Sequence, residues 1–437
     1  MTMTSESRTA VDLDAPLAIT SGDSHFGPRM EDLRPYCPAA FLDQFDEYAK
    51  AFTAGTGPRR QEGSPSDESP EAKRHAWLVA QSVKSPGNYE PHQRLREMDR
   101  DGVVSEVIYH GTFNGNTIPF VGGPIGPASE MELQAVGYEL YNRWLADACS
   151  VAPERLLGAM HLPLWDLERS LAELRWARDA GLRTVSFPAP RRGIPFYDDP
   201  VWDSFWSACE DMGVVLSTHA GAIDREDLAT PGAHEVFLRM LEAGGWPARR
   251  AINRFVFGGV FERHPGLKLV LAEQSMGWWE TTSRDFDSAY NTNGWMIRDQ
   301  VPKMPSEYLR EHVFIAASFM APFEAESAVR EDCVANVMWG RDYPHPEGTW
   351  VYQEHDDDEN MTRLSLRNTF NAIAPEHTKA MLSDNGIRVY GLDGGKLEAI
   401  AAEIGAPSIR DLSAPLDWIP EPGQGGIMAF RTLGAWG

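Results

Sequence analysis

The chain has 437 residues, and 40 Lys plus Arg against 64 Asp plus Glu give it a formal net charge of -24. Such a field repels DNA, RNA and anionic lipid surfaces at long range, which excludes nucleic-acid and membrane-surface roles and favours a small-molecule substrate. An anionic substrate stays within reach, because a metal ion or an arginine reverses the field locally inside a pocket.

The length allows two or three average domains, but nothing resembling a flexible linker divides the middle, so one large barrel with insertions is expected. Its expected parts are a mobile N-terminal arm (1–15), the barrel itself (16–391) and a C-terminal extension (392–437), rich in Pro, Gly and Trp, that packs on the barrel or on a neighbouring subunit. Cys37, Cys149, Cys209 and Cys333 are scattered without paired spacing, which argues against a disulfide framework or a Cys-based zinc site and for a reducing cytoplasm. The first 14 residues lack a signal-peptide core, and no apolar run reaches membrane-spanning length.

In chain order, an apolar first strand over 16–20 ends in Asp23-Ser24-His25, and residues 54–73, full of Gly and Pro among charges, predict an exposed loop. A helix over 92–100 leads to a strand over 103–109, and a long helix over 128–149 leads to a strand over 156–161. The alternation continues with a helix at 166–180, a strand at 182–187, a helix at 199–212 and a strand at 214–219. Helices at 234–243 and 247–263 precede a strand at 267–273, and a helix at 278–290 precedes a strand at 312–317. The last strand ends at Asp342, and after residues 360–373 the segment 375–388 predicts a closing helix. Eight strands with crossovers long enough for parallel neighbours are the count of a (β/α)8 barrel, here a distorted TIM barrel of the α/β class. An open doubly wound sheet fits less well, because no Gly-x-Gly-x-x-Gly turn follows the first strand.

Ligand-type residues collect where these strands end, as they do at the C-terminal face of barrel enzymes. Asp23 and His25, two residues apart on an extended chain, point the same way and mark the start of a metal site. His219 closes an apolar strand and is followed by Ala220-Gly221-Ala222, which leave room for a ligand. Asp342, in Gly340-Arg341-Asp342-Tyr343-Pro344-His345-Pro346, faces that pair if the last strand closes onto the first, as a ligand or a proton shuttle. Glu273 is either a helix N-terminal charge or a group that orients a ligand, donates a proton or bridges to a second metal. His110 and His345 are spare histidines in the same layer, whereas His161, before Leu162-Pro163, reads as structural. Arg191 and Arg192 pair with a substrate carboxylate or form a solvated turn, and Asp356-Asp357-Asp358-Glu359 lacks the spacing of a calcium loop.

Ser21-Gly22-Asp23-Ser24-His25, Leu216-Ser217-Thr218-His219-Ala220-Gly221, Phe257-Gly258-Gly259-Val260-Phe261-Glu262-Arg263-His264-Pro265, Leu271-Ala272-Glu273-Gln274 and the Asp342 segment together resemble a known family. The chain is similar, over residues 17–390, to the amidohydrolase-related branch of the amidohydrolase superfamily, the metal-dependent hydrolases and decarboxylases that resemble aminocarboxymuconate semialdehyde decarboxylase. The resemblance implies a divalent ion (Zn, Mn or Fe) held by Asp23, His25, His219 and Asp342. Asp342, Glu273 and His219 are the expected catalytic groups, although the proton-transfer role of the histidine that Glu273 replaces does not carry over from the family. Two departures stand out: Asp-x-His replaces the His-x-His of many members, and Glu273 stands where decarboxylases often carry a histidine. A carboxylate-richer set suits harder ions such as Mn²⁺ or Fe²⁺.

The expected function is a metal-dependent hydrolase or non-oxidative decarboxylase acting on a small carboxylate or ring-derived compound. The branch containing 2-aminoisobutyrate hydroxylase implies an alternative, an oxygen-dependent monooxygenase with two metals, for which His110, Glu273 and His345 are the further ligands or their supports. A third expectation is a catalytically silent subunit that pairs with an active paralogue; otherwise a homo-oligomer is expected.

Overall fold

Short apolar and β-branched runs become the strands of one parallel sheet in the computed structural model, which describes residues 11–54, 69–111, 117–121, 128–190, 193–219, 246–355, 359–419 and 426–432. In chain order the strands are β1 (Thr20–Ser21), β2 (His25–Phe26), β3 (Ser105–His110), β4 (Leu156–His161), β5 (Thr184–Ser186), β6 (Val215–His219), β7 (Leu269–Ala272), β8 (Val313–Ser318) and β9 (Val337–Gly340). Each pairs in parallel with the next around the barrel, β1 and β2 both lying on β3 as two pieces of one position. Between last and first, Gly22 N–H donates to the Trp339 carbonyl at 2.8 Å, Asp342 N–H to Asp23 at 3.0 Å and His25 N–H to Tyr343 at 2.7 Å. The result is the expected α/β architecture, a nearly closed (β/α)8 barrel in which helices alternate with the strands.

Alternation along each strand divides the core in two. Val107 and Tyr109 of β3, Val270 and Ala272 of β7, and Met338 of β9 point into the barrel, where they meet Val389, Tyr390, Leu397 and Ala401 from beyond the last strand. Ile108, Leu269, Leu271 and Trp339 point outward into the larger layer between sheet and helices. Residues 394–406 thus close one end of the barrel interior, and the strand C-termini form the other.

Local departures from the sequence reading have identifiable causes. Most of 16–20 is not strand: Leu17 N–H donates to the Pro407 carbonyl at 3.1 Å and Pro16 bridges Ser408, so the segment is tied to residues 407–408 before entering the sheet. Part of the expected 54–73 loop is helix, since Ser69 Oγ accepts the Ala72 N–H at 3.2 Å and caps Pro70–Lys84, and an unexpected helix, Leu42–Thr53, precedes it. The 247–263 helix breaks into Trp246–Phe257 and Val260–Arg263 at Gly259, whose φ of 66° is left-handed. The helix expected at 234–243, Arg191, Arg192 and Asp356 to Asp358 lie outside the described residues.

Candidate metal centre

The first strand breaks because Ser21 folds its hydroxyl back, donating to the Asp23 carbonyl at 2.7 Å and accepting the Arg341 N–H at 2.8 Å. That kink delivers Asp23 and His25 to the barrel's C-terminal rim. Parallel register puts His219 opposite Ala272, Ser318 opposite Gly340 and His25 opposite Tyr109, so the ends of β2, β6, β7, β8 and β9 converge. Gly340 permits the convergence, since a Cβ there would stand 3.0 Å from Asp23 Cβ and 2.9 Å from Ser318 Oγ.

Asp23 is fully buried, with His219 Nε2 at 3.3 Å and His25 Nε2 at 3.6 Å from Oδ1, while Ser318 Oγ donates to Oδ2. His25 Nε2 also lies 3.1 Å from Asp342 Oδ1, and His345 Nδ1 reaches the same oxygen at 3.1 Å. The rings of His25 and His345 stack at 4.1 Å. His25 Nδ1 is 3.1 Å from the His110 carbonyl, which only accepts, so Nδ1 carries the proton and Nε2 presents its lone pair to the centre. On His219, Nδ1 lies 3.3 Å from Glu273 Oε2, turning Nε2 toward Asp23 in the same sense.

Electrostatics agree with that arrangement. Burial lowers the pKa of His25 to about 4, helped by His345 and opposed by Asp342, so its imidazole is neutral, as a metal ligand must be. Burial works against the charge on Asp23, yet His219, His25 and Ser318 outweigh it and hold the carboxyl below its ordinary range. Asp342 goes the other way: burial pushes it up to about 6, with His25 opposing and Asp23 adding to the rise. Burial raises Glu273 well above the usual carboxyl range, against His219 and with the charges of Asp342, Asp23 and Glu347 behind it.

A divalent cation fits this donor set. Asp342 Oδ2 is buried and accepts no hydrogen bond, and no described Lys or Arg pairs with Asp23, Glu273, Asp342 or Glu347. Three overlapping groups bring one ligand atom per residue within 4.8 Å of one another: Asp23-His25-His219, His25-Asp342-His345 and Glu273-Asp342-Glu347. Two of these side chains sit on strained backbone, Glu273 and Asp342 both having φ of 54°, and Phe319 just after β8 has φ of 46°. Sterically uncommon conformations at three adjoining strand ends aim these loops at one point.

Of the sequence candidates, Asp23, His25, His219, Glu273, Asp342 and His345 come together. His110 adjoins them through its carbonyl; its ring Nε2 instead accepts the Ile118 N–H at 3.1 Å, and burial, with His161 and His219 nearby, lowers its pKa to about 3. Glu347 was missed although Asp342-x-x-His345-x-Glu347 is visible in the sequence; Pro344 and Pro346 drew attention to the turn instead. Ser318 and a buried support network carried no signal at all. In that network Arg94 donates to the His25 carbonyl at 2.9 Å and to Glu106, whose other oxygen accepts from Arg341 at 2.9 Å, and Arg341 also reaches Asp101 at 2.6 Å.

Comparison with known proteins agrees with the geometry. The curated 2-amino-3-carboxymuconate-6-semialdehyde decarboxylase of Dictyostelium discoideum is 25% identical over 319 residues, 70% of this chain and 78% of that protein. An amidohydrolase from Mycobacterium avium subsp. paratuberculosis K-10 superposes with a TM-score of 0.61 at 16% identity, covering 88% of this chain and 100% of that one. The 5-carboxyvanillate decarboxylase of Novosphingobium aromaticivorans, solved with bound manganese and 3-methoxy-4-hydroxy-5-nitrobenzoic acid, gives a TM-score of 0.56 at 18% identity, covering 87% and 100%. The family profile described as Amidohydrolase matches residues 75–392, and with the barrel and its rim of carboxylates and imidazoles in place, the chain belongs to that amidohydrolase family.

Proposed function

We propose that the chain is a divalent-metal-dependent, non-oxidative decarboxylase of a small ring-derived carboxylic acid. The observation that carries this reading is the convergence of Asp23, His25, His219 and Asp342, with a ring nitrogen of each histidine turned inward. The relatives named above as decarboxylases, one of them solved with manganese, support the reaction class. A bound ion at these four side chains supplies Lewis-acid polarisation of a substrate oxygen. Glu273, pushed toward its protonated form by burial and by the carboxylates around it, supplies the proton that takes the place of the departing carboxyl group on carbon and is left as a carboxylate beside His219. Asp342 holds His25 and His345 in place and returns a proton to the site after each turnover. Carbon dioxide release from a panel of hydroxybenzoates and aminocarboxylates under anaerobic conditions, using manganese-loaded protein, tests this directly; no release from any of them would remove the reading.

A second reading has its own observation. Glu273, Asp342 and Glu347, with His345 beside Asp342, are donors enough for a second ion next to the first, and such a pair suits oxygen-dependent hydroxylation. Metal content per chain separates the two: one equivalent of manganese or zinc favours decarboxylation or hydrolysis, whereas two, with iron present and oxygen consumed with substrate, favours the hydroxylase. We further infer a cytoplasmic enzyme that assembles as a homo-oligomer or with a paralogue. The four cysteines are buried and free, which agrees with a reducing compartment. A homo-oligomer that is stable and active by itself would dispose of the silent-subunit alternative.

A further inference from the structure

Among the described residues, Arg249 is a cation whose Nε is buried without a hydrogen bond and which pairs with no described carboxylate. Arg249 stands in the first turn and a half of the helix Trp246–Phe257, in line with the core-facing residues Ile252 and Val256, three and seven positions on. On the opposite side of the helix Arg250 is exposed and Arg254 pairs with Asp198 at 3.3 Å, as surface arginines do. Arg249 has no such partner: its Nε is buried without a hydrogen bond, no described carboxylate pairs with it, and burial lowers its pKa to about 10. One turn further along, Asn253 Oδ1 is orphaned as well. The guanidinium instead lies 4.8 Å from the centroid of the Trp278 ring, which is 8% exposed.

Topology gives this pair its location. Helices of the barrel run opposite to the strands, so the start of the helix after β6 lies at the same end as His219, and Trp278 comes five residues after Glu273 at the end of β7. Helix side chains lean toward the helix N-terminus, which tips Arg249 from the core stripe toward that rim. Arg249 is partly buried, and its Nε is shut away from water without a partner, which costs stability unless a ligand completes it; the planar fork matches a carboxylate in two parallel hydrogen bonds.

We propose that Arg249 is the carboxylate-recognition residue of this enzyme, held against Trp278 so that its fork meets the acid group of an aromatic or ring-derived substrate, with Asn253 accepting from a donor on the same molecule. The assignment rests on the small-carboxylate reading above and adds the residue that would select for it.

The test uses benzoate and its uncharged counterpart benzamide, titrated by calorimetry into manganese-loaded wild-type protein, Arg249→Leu and Arg249→Lys, with thermal unfolding of each. Loss of a charge-assisted pair predicts benzoate binding weaker by about tenfold or more in Arg249→Leu, an intermediate loss in Arg249→Lys and no change for benzamide. The unfolding midpoint of Arg249→Leu stays the same or rises, because a partly buried cation without a described counter-charge is replaced by an apolar group; a structural arginine would lower it. Unchanged benzoate affinity, a wild-type protein that does not prefer benzoate to benzamide, or a variant that loses both ligands along with its fold overturns the assignment. Binding is read without turnover, so a failure to release carbon dioxide removes the proposed reaction without touching this result, and release that is indifferent to Arg249 removes the assignment alone.

Discussion

At the scale of single residues, the candidate centre gathers like charges that a divalent cation would balance. Two histidines and a hydroxyl favour the ionised form of Asp23, whereas Asp342 and Glu273 are pushed toward their neutral forms, so one cluster holds carboxyls driven in opposite directions, as the proposed division into ligand and proton donor requires. Asp342→Asn keeps the shape but removes the acid, and a fall in kcat of at least about a hundredfold is expected, with metal content by mass spectrometry showing whether the ion remains. Glu347→Gln leaves Asp23, His25 and His219 untouched; the two-metal reading requires that it cut metal content by half, while equal loading would remove that reading. Asp23, His25, His219 and Asp342 were legible because each ends or follows an apolar strand. Ser318 was not, because a serine at a strand end has no distinguishing pattern until Asp23 is seen to meet it.

Elements place these residues, and the joints between elements are where the sequence was least informative. Eight strand positions were visible from apolar runs and turn residues, since parallel barrel strands are buried on both faces. The broken first strand was not visible, because the kink depends on the Ser21 hydroxyl meeting the Arg341 N–H, 320 residues away. Gly340→Ala forces a Cβ against Asp23 and Ser318, so metal affinity should fall by about tenfold or more, by competition with a chromophoric chelator, while circular dichroism stays native. Beneath the rim, burial works against Glu106, but Arg94 and Arg341 outweigh it and hold its carboxyl below the ordinary range. Glu106→Gln leaves those two guanidinium groups in a fully buried site with one partner lost, and about 3–5 kcal/mol of destabilisation in urea is expected. Because Arg94 also holds the His25 carbonyl, the same variant should bind metal more weakly; native stability in urea would show the network to be dispensable.

For the whole molecule, the barrel has a working end and a sealed end. Leu397, fully buried on the helix Gly394–Glu403, packs with Val389 and Tyr390 against inward-facing strand residues at the end of the barrel opposite the strand C-termini. Leu397→Ala should therefore cost about 2–5 kcal/mol of stability with metal content and turnover unchanged, measured by thermal unfolding and by activity below the transition. Equal losses of both would mean that the two ends are coupled through the barrel interior.

The sequence by itself determined the strand count and the alternation with helices, and it pointed to most of the candidate ligands that the barrel rim brings together, because burial and turn chemistry act between near neighbours in the chain. It also carried the family resemblance, which the profile match over residues 75–392 bears out. Only the tertiary structure decided which ring nitrogens face inward, that His110 contributes a carbonyl, that Glu347 joins Glu273 and Asp342, and that Arg249 has no counter-charge among the described residues. Each of these depends on groups that the chain brings together only when the barrel closes, so no local pattern of residues encodes them.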